Sequence, residues 1–318
     1  SDFAVVDVLD TKVWVEMLDS TVGSWQLSYG EGDFLPEEGV IVDANSRVVE
    51  VSGLSSATTY GLYVRRVCGD KYGSWKEEKR EFTTLCSPIA VRANVEWFEG
   101  FEGYEAGRYI EGCYIQEYDD KTSRPLEASG RYEEVDWYSD NVTYVIEPKT
   151  GERFALATEY NSDNWMFAYV DLLAGENYEM SLMARHGDSG TNIGTTVSLA
   201  YGNRPTIDSM LTYIVSDVVV DGEWTQVIGA FRVEEDGQYF IGIHLKINDY
   251  YEKGGIDDLR LRVSNCVMPS SMSASRTTSS GAVLNVITLT DSIRIAVSDK
   301  MFDPVSEVAN TYDAILGV

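Results

Sequence analysis

Basic residues are scarce in this chain. Its 318 residues include 25 lysines and arginines against 52 aspartates and glutamates, and the formal net charge is -27. Nucleic acids and anionic membrane surfaces both require basic patches, so the composition argues against both classes of partner. It is compatible with a highly soluble extracellular surface, or with one that attracts divalent cations.

Long apolar runs and enzyme signatures are also missing. No stretch approaches the roughly 20 apolar residues of a membrane-spanning helix, and no basic-then-apolar signal segment opens the chain. Because the sequence begins abruptly in a strand-like pattern, we expect a fragment of a longer protein. Neither of the two histidines, His186 and His244, lies near a G-x-S-x-G motif, and no H-E-x-x-H, Walker or Rossmann pattern occurs. We therefore expect no catalysis in this fragment.

Short segments with alternating apolar positions predict strands along the whole chain. They include TKVWVEML, SWQLSY, YEMSLMAR, TTVSLAY and YFIGIHLKI, and turn clusters such as YGEGD and HGDSG separate them. With no convincing helix of ten residues, this spacing predicts an all-β protein of tandem β-sandwiches. Two segments that pair cysteine with proline, TTLCSP and SNCVMP, predict modules at 1–86, 87–265 and 266–318. The third is too short for a sandwich, so we expect residues beyond Val318 to complete it, or an unusual pairing.

The first module resembles a known family. SWQLSYG contains Trp25 in an alternating apolar pattern, and VSGLSSATTYGLYVRRVCGD and REFTTLC follow it. Together these segments resemble a fibronectin type III domain of bacterial surface proteins, over residues 1 to about 86. The resemblance implies that Trp25 anchors the core and that Leu54 and Tyr60 form a tyrosine corner. Such modules usually space, present or dock their neighbours.

The second module shows a second resemblance. It opens with WFEGFEGYEAG, contains NWMFAYVDLLAGENYEMSLMAR and closes with GGIDDLRLRV. This order resembles the jelly-roll domains grouped as cleaved-adhesin or MAM-like modules of bacterial (Bacteroidetes-type) surface proteins. The acidic segment RYEEVDWYSDNVTYVIEPKTGERF is longer than the family pattern. The third module repeats the layout at the start of the first, so we expect a partial second fibronectin-like module.

Four cysteines occur, at positions 68, 86, 113 and 266, and none belongs to a C-x-x-C motif. Disulfides of an exported protein are therefore favoured over zinc or thioredoxin-type chemistry, and four cysteines allow three complete pairings. In the related modules, a cysteine just before the first strand pairs with the one in the VRxxCG turn. By this resemblance the partner of Cys68 lies upstream of Ser1. The resemblance thus implies a Cys86–Cys113 bond, with Cys68 and Cys266 free.

The closing segment GGIDDLRL raises a question about Asp257. Its alternation places Asp257 on the same apolar face as Leu259, with Arg260 on the other face. A buried carboxylate must be paired, hydrogen-bonded or metal-bound, because an uncompensated charge is costly. Many jelly rolls of this family hold a structural calcium between their first and last strands. The resemblance therefore implies a calcium site formed by oxygen ligands from Glu99, Glu102, Asp257 and Asp258.

The calcium hypothesis has two alternatives. Asp257 could instead be hydrogen-bonded at the Gly-Gly turn, or it could form an ion pair with an arginine. Among the four candidate ligands we favour Glu99 and Asp257.

Two loops combine adjacent aromatic residues with polar ones. EEVDWYSDN contains Trp137 and Tyr138, and NDYYEKGG contains Tyr250 and Tyr251. Carbohydrate sites stack sugar rings on exposed aromatics and hold the hydroxyls with polar side chains, and loops often carry function. The alternative is that these aromatics pack against their own insertions.

These observations predict a non-catalytic adhesion region of a secreted or cell-surface protein. Its expected partner is a glycan or a surface protein, beside neighbouring domains of the same polypeptide. One alternative is a purely architectural spacer. A less favoured one is part of a glycoside hydrolase, since acidic pairs about 5 to 10 Å apart are all that such an enzyme needs.

Overall fold

β-Strands are almost the only regular secondary structure in the part of the chain that the structure describes. The computed structural model describes the whole chain except residues 1–2, 20–22, 119–122, 136–140, 160–161, 188–193, 249–252, 268, 270, 278–280, 282, 290–291, 298–309 and 316–318. Among the described residues the only helix is a single 3-10 turn, Ile207–Ser209. Within that part of the chain, no helix has the length and apolarity to cross a membrane. The prediction of an all-β chain is confirmed.

Two compact units make up the chain. The first comprises Ser1–Pro88 with Glu111–Cys113, and the second comprises Ile89–Ile110 with Tyr114–Val318. The second unit thus includes the segment for which the sequence suggested a separate third module. The three-module division stays a prediction.

The described part of the first unit is a pair of antiparallel sheets. Its strands are β1 (Phe3–Val8), β2 (Lys12–Met17), β3 (Ser24–Glu31), β4 (Val40–Ala44), β5 (Val48–Ser52), β6 (Thr59–Cys68), β7 (Lys71–Tyr72) and β8 (Arg80–Thr83). One sheet has the order β1-β2-β5, and the other has the order β4-β3-β6-β7 with β8 also paired to β6. Facing apolar sides of such sheets form the core of a β-sandwich.

The core of the first unit follows the alternation of its strands. Trp25 on β3 and Tyr60, Leu62 and Val64 on β6 are all buried in one apolar cluster. The Tyr60 hydroxyl accepts a hydrogen bond from the backbone N–H of Ser55 at 2.9 Å. This is the contact that a tyrosine corner requires. Membership of the fibronectin type III family stays a prediction.

The first unit contains a disulfide between Cys86 and Cys113, whose Cα atoms are 5.2 Å apart. Cys68 and Cys266 are free and exposed. This is the cysteine state that the family resemblance implied. A covalent link across 27 residues lowers the entropy of the unfolded chain and so stabilises the folded one.

The second unit contains the remaining strands. They are β9 (Ile89–Ala90), β10 (Trp97–Glu99), β11 (Arg108–Tyr109), β12 (Tyr114–Tyr118), β13 (Glu127–Ser129), β14 (Tyr132–Val135), β15 (Val142–Ile146), β16 (Phe154–Ala157), β17 (Asp163–Leu172), β18 (Tyr178–His186), β19 (Thr195–Gly202), β20 (Thr212–Val220), β21 (Thr225–Phe231), β22 (Gly237–Ile247), β23 (Gly254–Val263), β24 (Ser271–Ser275), β25 (Val283–Ile287), β26 (Ser292–Val297) and β27 (Asn310–Ile315).

Two larger sheets of this unit enclose its main core. The front sheet has the order β11-β13-β16-β23-β18-β21, with β10 also paired to β23. The back sheet has the order β12-β17-β22-β19-β20, with β9 also paired to β17. Fully buried side chains of both sheets, among them Met180, Leu261, Met166 and Ile243, belong to one apolar cluster. Burying each such side chain contributes roughly 1.5 to 3 kcal/mol.

Three hairpins complete the described strands of this unit. They pair β14 with β15, β24 with β25, and β26 with β27. Tyr144 and Ile146 of the first hairpin share a small buried cluster with Phe154 and Leu156 of the front sheet. The hairpin is thereby packed against β16, the neighbour of the strand that contains Asp257.

Candidate functional site

Strand β23 changes its neighbour at Asp257 and Asp258. Residues 254–256 pair with β16, whereas residues 259–261 pair with β10. The ladder to β18 shifts register at the same point, and Asp258 has a left-handed backbone with φ of 50°. A bulge of this kind bends a strand and re-aims its side chains. Here it opens a gap in the front sheet beside two consecutive aspartates.

Backbone amides satisfy the buried carboxylate of Asp257. Its side chain is fully buried. Oδ2 accepts hydrogen bonds from the N–H groups of Lys149 at 2.8 Å and Thr150 at 3.3 Å. Oδ1 accepts one from the N–H of Asp258 at 2.8 Å. The hydrogen-bonded alternative for Asp257 is therefore what the structure contains.

Burial, the largest effect, raises the pKa of Asp257 to about 7. The negative charge of Asp258 acts in the same direction, whereas the three amide hydrogen bonds lower the pKa. Because its side chain is inaccessible, Asp257 cannot reach a substrate as a general acid despite this raised pKa. The aspartate ties the segment at Lys149 and Thr150 to β23, at the point where the neighbour of β23 changes from β16 to β10.

The other predicted calcium ligands also accept hydrogen bonds within the protein. Glu99 accepts them from the Phe101 N–H and the Tyr114 hydroxyl, both at 2.6 Å. Burial and the charge of Glu99 raise the pKa of Tyr114 far above its usual value. Glu102 accepts hydrogen bonds from the backbone N–H groups of residues 152 and 153, at 2.8 and 3.0 Å. The carboxylate of Asp258 accepts a hydrogen bond from the Thr150 hydroxyl at 2.5 Å.

This arrangement bears on whether the four carboxylates fit a calcium ion. Calcium takes six to eight oxygen ligands that converge on one point. Within the described residues, no group of three or more His, Cys, Asp or Glu side chains is placed to hold a metal ion. Oxygens of Asp257 and Glu102 that could bind an ion already accept hydrogen bonds from peptide N–H groups. The calcium site stays a prediction, and no step of the function is derived through it.

A groove of about 360 Å³ crosses the outer face of the front sheet. It lies over β10, β18, β21 and β23, whose outward side chains alternate with the buried ones of the core. Phe98 is 48% exposed there, although its neighbour Trp97 is buried. The chemically useful lining residues are Phe98, Ser181, Gln226, Asp258, Arg260 and Arg262.

The two arginines of the groove differ in their partners. Arg262 donates from Nε and Nη2 to Oε1 of Glu179, at 2.9 and 2.5 Å, and the Glu179 side chain is only 5% exposed. Arg260 lies with its guanidinium carbon 5.3 Å from the Phe98 ring centroid. Its ion pair is with Glu96 at 3.5 Å, and both side chains are more than 40% exposed. Both arginines are partly exposed, but Arg262 is held by a nearly buried carboxylate, whereas the partner of Arg260 is itself exposed.

A second polar cluster lies on the back sheet. His244 stacks on Trp165 with 4.5 Å between ring centroids, and its Nε2 is 2.7 Å from Oδ1 of Asp163. Lys246 approaches the same carboxylate at 3.0 Å. The hydrogen bond with His244 is the main reason that the pKa of Asp163 falls to about 2. As predicted, His244 lies outside the apolar core face of its strand.

The aromatic residues predicted to bind a ligand fall outside the described part of the chain. This applies to Trp137, Tyr138, Tyr250 and Tyr251, so their role stays a prediction. The groove itself was not predicted. Its signals were visible in the sequence, because Phe98 is out of phase with Trp97 in WFEGFE and Arg260 is out of phase with Leu259 in GGIDDLRL. A lone exposed aromatic could not be distinguished from ordinary surface without the fold.

Several solved structures are similar in fold to part of this chain. A carbohydrate-binding module in complex with β-1,4-galactotriose is 16% identical, with 52% of this chain and 94% of that chain covered and a TM-score of 0.34. A xylan-binding domain from Paenibacillus barcinonensis is 9% identical, with coverages of 56% and 97% and a TM-score of 0.34. The K1 cleaved adhesin domain of Lys-gingipain from Porphyromonas gingivalis is 9% identical, with coverages of 54% and 99% and a TM-score of 0.37. No family model and no curated protein matches the chain.

Proposed function

We propose that the second unit is a non-catalytic glycan-binding module of an exported adhesion protein, and that it binds its ligand in the groove of the front sheet. The supporting observation is the placement of the exposed Phe98 ring beside amide, hydroxyl, carboxylate and guanidinium groups in one groove. Sugars present apolar C–H faces and polar hydroxyl edges, and this lining offers a partner for each.

The groove is positioned by strands, so its residues are pre-organised. Ser181 and Gln226 project from paired strands β18 and β21, and Asp258 is oriented by its hydrogen bond from Thr150. Groups held on a rigid sheet lose little conformational entropy on binding. At about 360 Å³ the groove is near the lower end of ligand-site volumes, which suits a short glycan segment.

The state of the two aspartates supports a binding role over hydrolysis. Glycosidases need two carboxyl groups that both reach the scissile bond. Asp258 lines the groove, but its neighbour Asp257 is fully buried and accepts hydrogen bonds from three peptide N–H groups. The other carboxylate of the groove, Glu179, is only 5% exposed and is paired with Arg262. The raised pKa of Asp257 is therefore explained by its structural position.

A glycan microarray probed with the full chain tests the proposal. We expect saturable binding to a group of related glycans, and loss of that binding in Phe98→Ala. Tyr109→Ala is the matched control, because Tyr109 is an exposed aromatic (43%) on β11 of the same sheet and does not line the groove. Circular dichroism would establish that both variants are folded.

Binding that is unchanged in Phe98→Ala would remove the groove from the proposal. Loss in Trp137→Ala or Tyr250→Ala instead would move the site to the predicted aromatic loops. A folded chain that binds no glycan would favour the architectural spacer. Repeating the array with calcium and then with a chelator tests the predicted ion separately, since it asks whether binding or thermal stability depends on the metal.

A further inference from the structure

The groove is less acidic than the chain as a whole. Arg260 and Arg262 line it together with Glu179 and Asp258, and Glu96 pairs with Arg260 beside it, whereas the whole chain carries a net charge of -27. Electrostatic repulsion of an anion is therefore lower at this groove than the overall charge suggests. Two arginines on alternate positions of one strand also place both guanidinium groups on the same face.

Arg262 is less free than Arg260 to turn towards an anion. Both of its hydrogen bonds go to one oxygen of a Glu179 side chain that is only 5% exposed. Breaking such a pair leaves a nearly buried carboxylate without its counter-charge, which is strongly unfavourable. Arg262 therefore neutralises Glu179 and keeps the floor of the groove fixed.

Arg260 is in a different position. Its partner Glu96 is 3.5 Å away and half exposed, and exposed ion pairs of this kind contribute little. A guanidinium has five N–H donors in a planar fork that matches a carboxylate or a sulfate. The adjacent Phe98 ring, 5.3 Å from the guanidinium carbon, limits hydration of the cation on one side.

We propose that the groove selects anionic sugars, with Arg260 binding a carboxylate or sulfate group on the ring while Phe98 contacts its apolar face. This inference rests on the proposed glycan-binding function and adds the ligand class. Uronic acids and sulfated sugars share the chemistry that Arg260 recognises. Ser181 and Gln226 contribute hydrogen bonds to the remaining hydroxyls.

Isothermal titration calorimetry of the full chain with three trisaccharides tests the inference. The probes are trigalacturonic acid, a sulfated galactotriose and neutral β-1,4-galactotriose. We expect one or both anionic probes to bind roughly tenfold or more tightly than the neutral one, as a single charge-assisted contact of about 1.4 kcal/mol would give. The comparison of the two anionic probes decides between carboxylate and sulfate.

Three arginine variants sharpen the test. Arg260→Gln should reduce the affinity for the anionic probe to the level of the neutral one and leave the neutral probe unaffected. Arg260→Lys keeps the charge but not the fork, and should retain part of the preference. Arg108→Gln is the matched control, since this arginine is 74% exposed on β11 and lies outside the groove. It should change neither affinity.

Equal binding of anionic and neutral probes by the wild type would overturn the inference. So would an equal loss for both probes in Arg260→Gln. If neutral glycans still bind and Phe98→Ala abolishes that binding, the proposed function stands and only the ligand class is wrong. If no probe binds and the array is also empty, both proposals fail together.

Discussion

The environment of Asp257 predicts an unusual response to Asp257→Asn. Both carboxylate oxygens accept peptide N–H groups, two at Oδ2 and one at Oδ1. An asparagine has only one accepting oxygen, so its NH₂ group must face at least one N–H in either orientation. Each buried donor left without an acceptor costs about 1 to 3 kcal/mol. We expect the variant to be destabilised by about 2 to 4 kcal/mol at pH 4 to 5.

The raised pKa of Asp257 determines how the stability difference between wild type and variant changes with pH. The folded-state pKa of about 7 lies above the unfolded value, so the folded protein binds the proton more tightly. The stability from Asp257 is therefore complete below about pH 4 and decreases as the pH rises through 7. A shift of about three pKa units corresponds to roughly 4 kcal/mol. We expect the difference between wild type and Asp257→Asn to shrink over this interval.

Urea denaturation between pH 4 and pH 8 measures the effect on the full chain. Hydrogen exchange measured on a peptide that contains Lys149 and Thr150 assigns the loss of stability to the second unit, because the backbone N–H groups of both residues donate to Asp257. Asp258→Asn is the control, since it makes the same chemical change on a side chain that bonds only the Thr150 hydroxyl. It should retain most of the wild-type dependence of stability on pH, because burial is the main cause of the raised Asp257 pKa and the charge of Asp258 adds a smaller part. An Asp257→Asn variant with wild-type stability and slope would refute the reasoning.

Three further predictions concern other parts of the fold. Tyr60→Phe removes the hydroxyl that accepts a peptide N–H and should cost about 1 to 2 kcal/mol in denaturation of the first unit, with unchanged far-UV dichroism. Replacing Cys86 and Cys113 together by serine should cost roughly 3 to 4 kcal/mol for a closed loop of 27 residues; a thermal midpoint equal to wild type would contradict it. Gly202→Ala would place Cβ 2.0 Å from the backbone oxygen of Ser209, so proteolysis of that connection should accelerate, whereas alanine at the open Gly103 should have little effect.

Much of the architecture could be predicted from the sequence because alternation is a local property. The positions of Tyr60, Leu62 and Val64 on one buried face of β6 follow directly from it. The outward placement of His244 follows in the same way. Asp257 was correctly expected on the core side, since Leu259 and Leu261 set the phase of its strand.

The partners of Asp257 could not be predicted from the sequence. Lys149 and Thr150 lie more than 100 positions away along the chain and contribute only backbone groups. Peptide N–H groups have no residue-type signature, so a carboxylate satisfied by them looks the same in sequence as one that binds calcium. The groove was missed for a related reason, because Phe98 on β10 and Gln226 on β21 lie on strands that are brought near each other only by β23 and β18 between them in the front sheet.

The pairing of β10 with β23 has a consequence for grafting this part of the chain into another protein. Trp97 lies opposite Leu261, so the first and last strands of the front sheet along the chain are adjacent. A segment with neighbouring ends can be inserted into a surface loop of another protein without stretching that loop. A graft of the segment from β10 to β23 would therefore carry both Phe98 and Arg260, which lie directly opposite each other on these two strands.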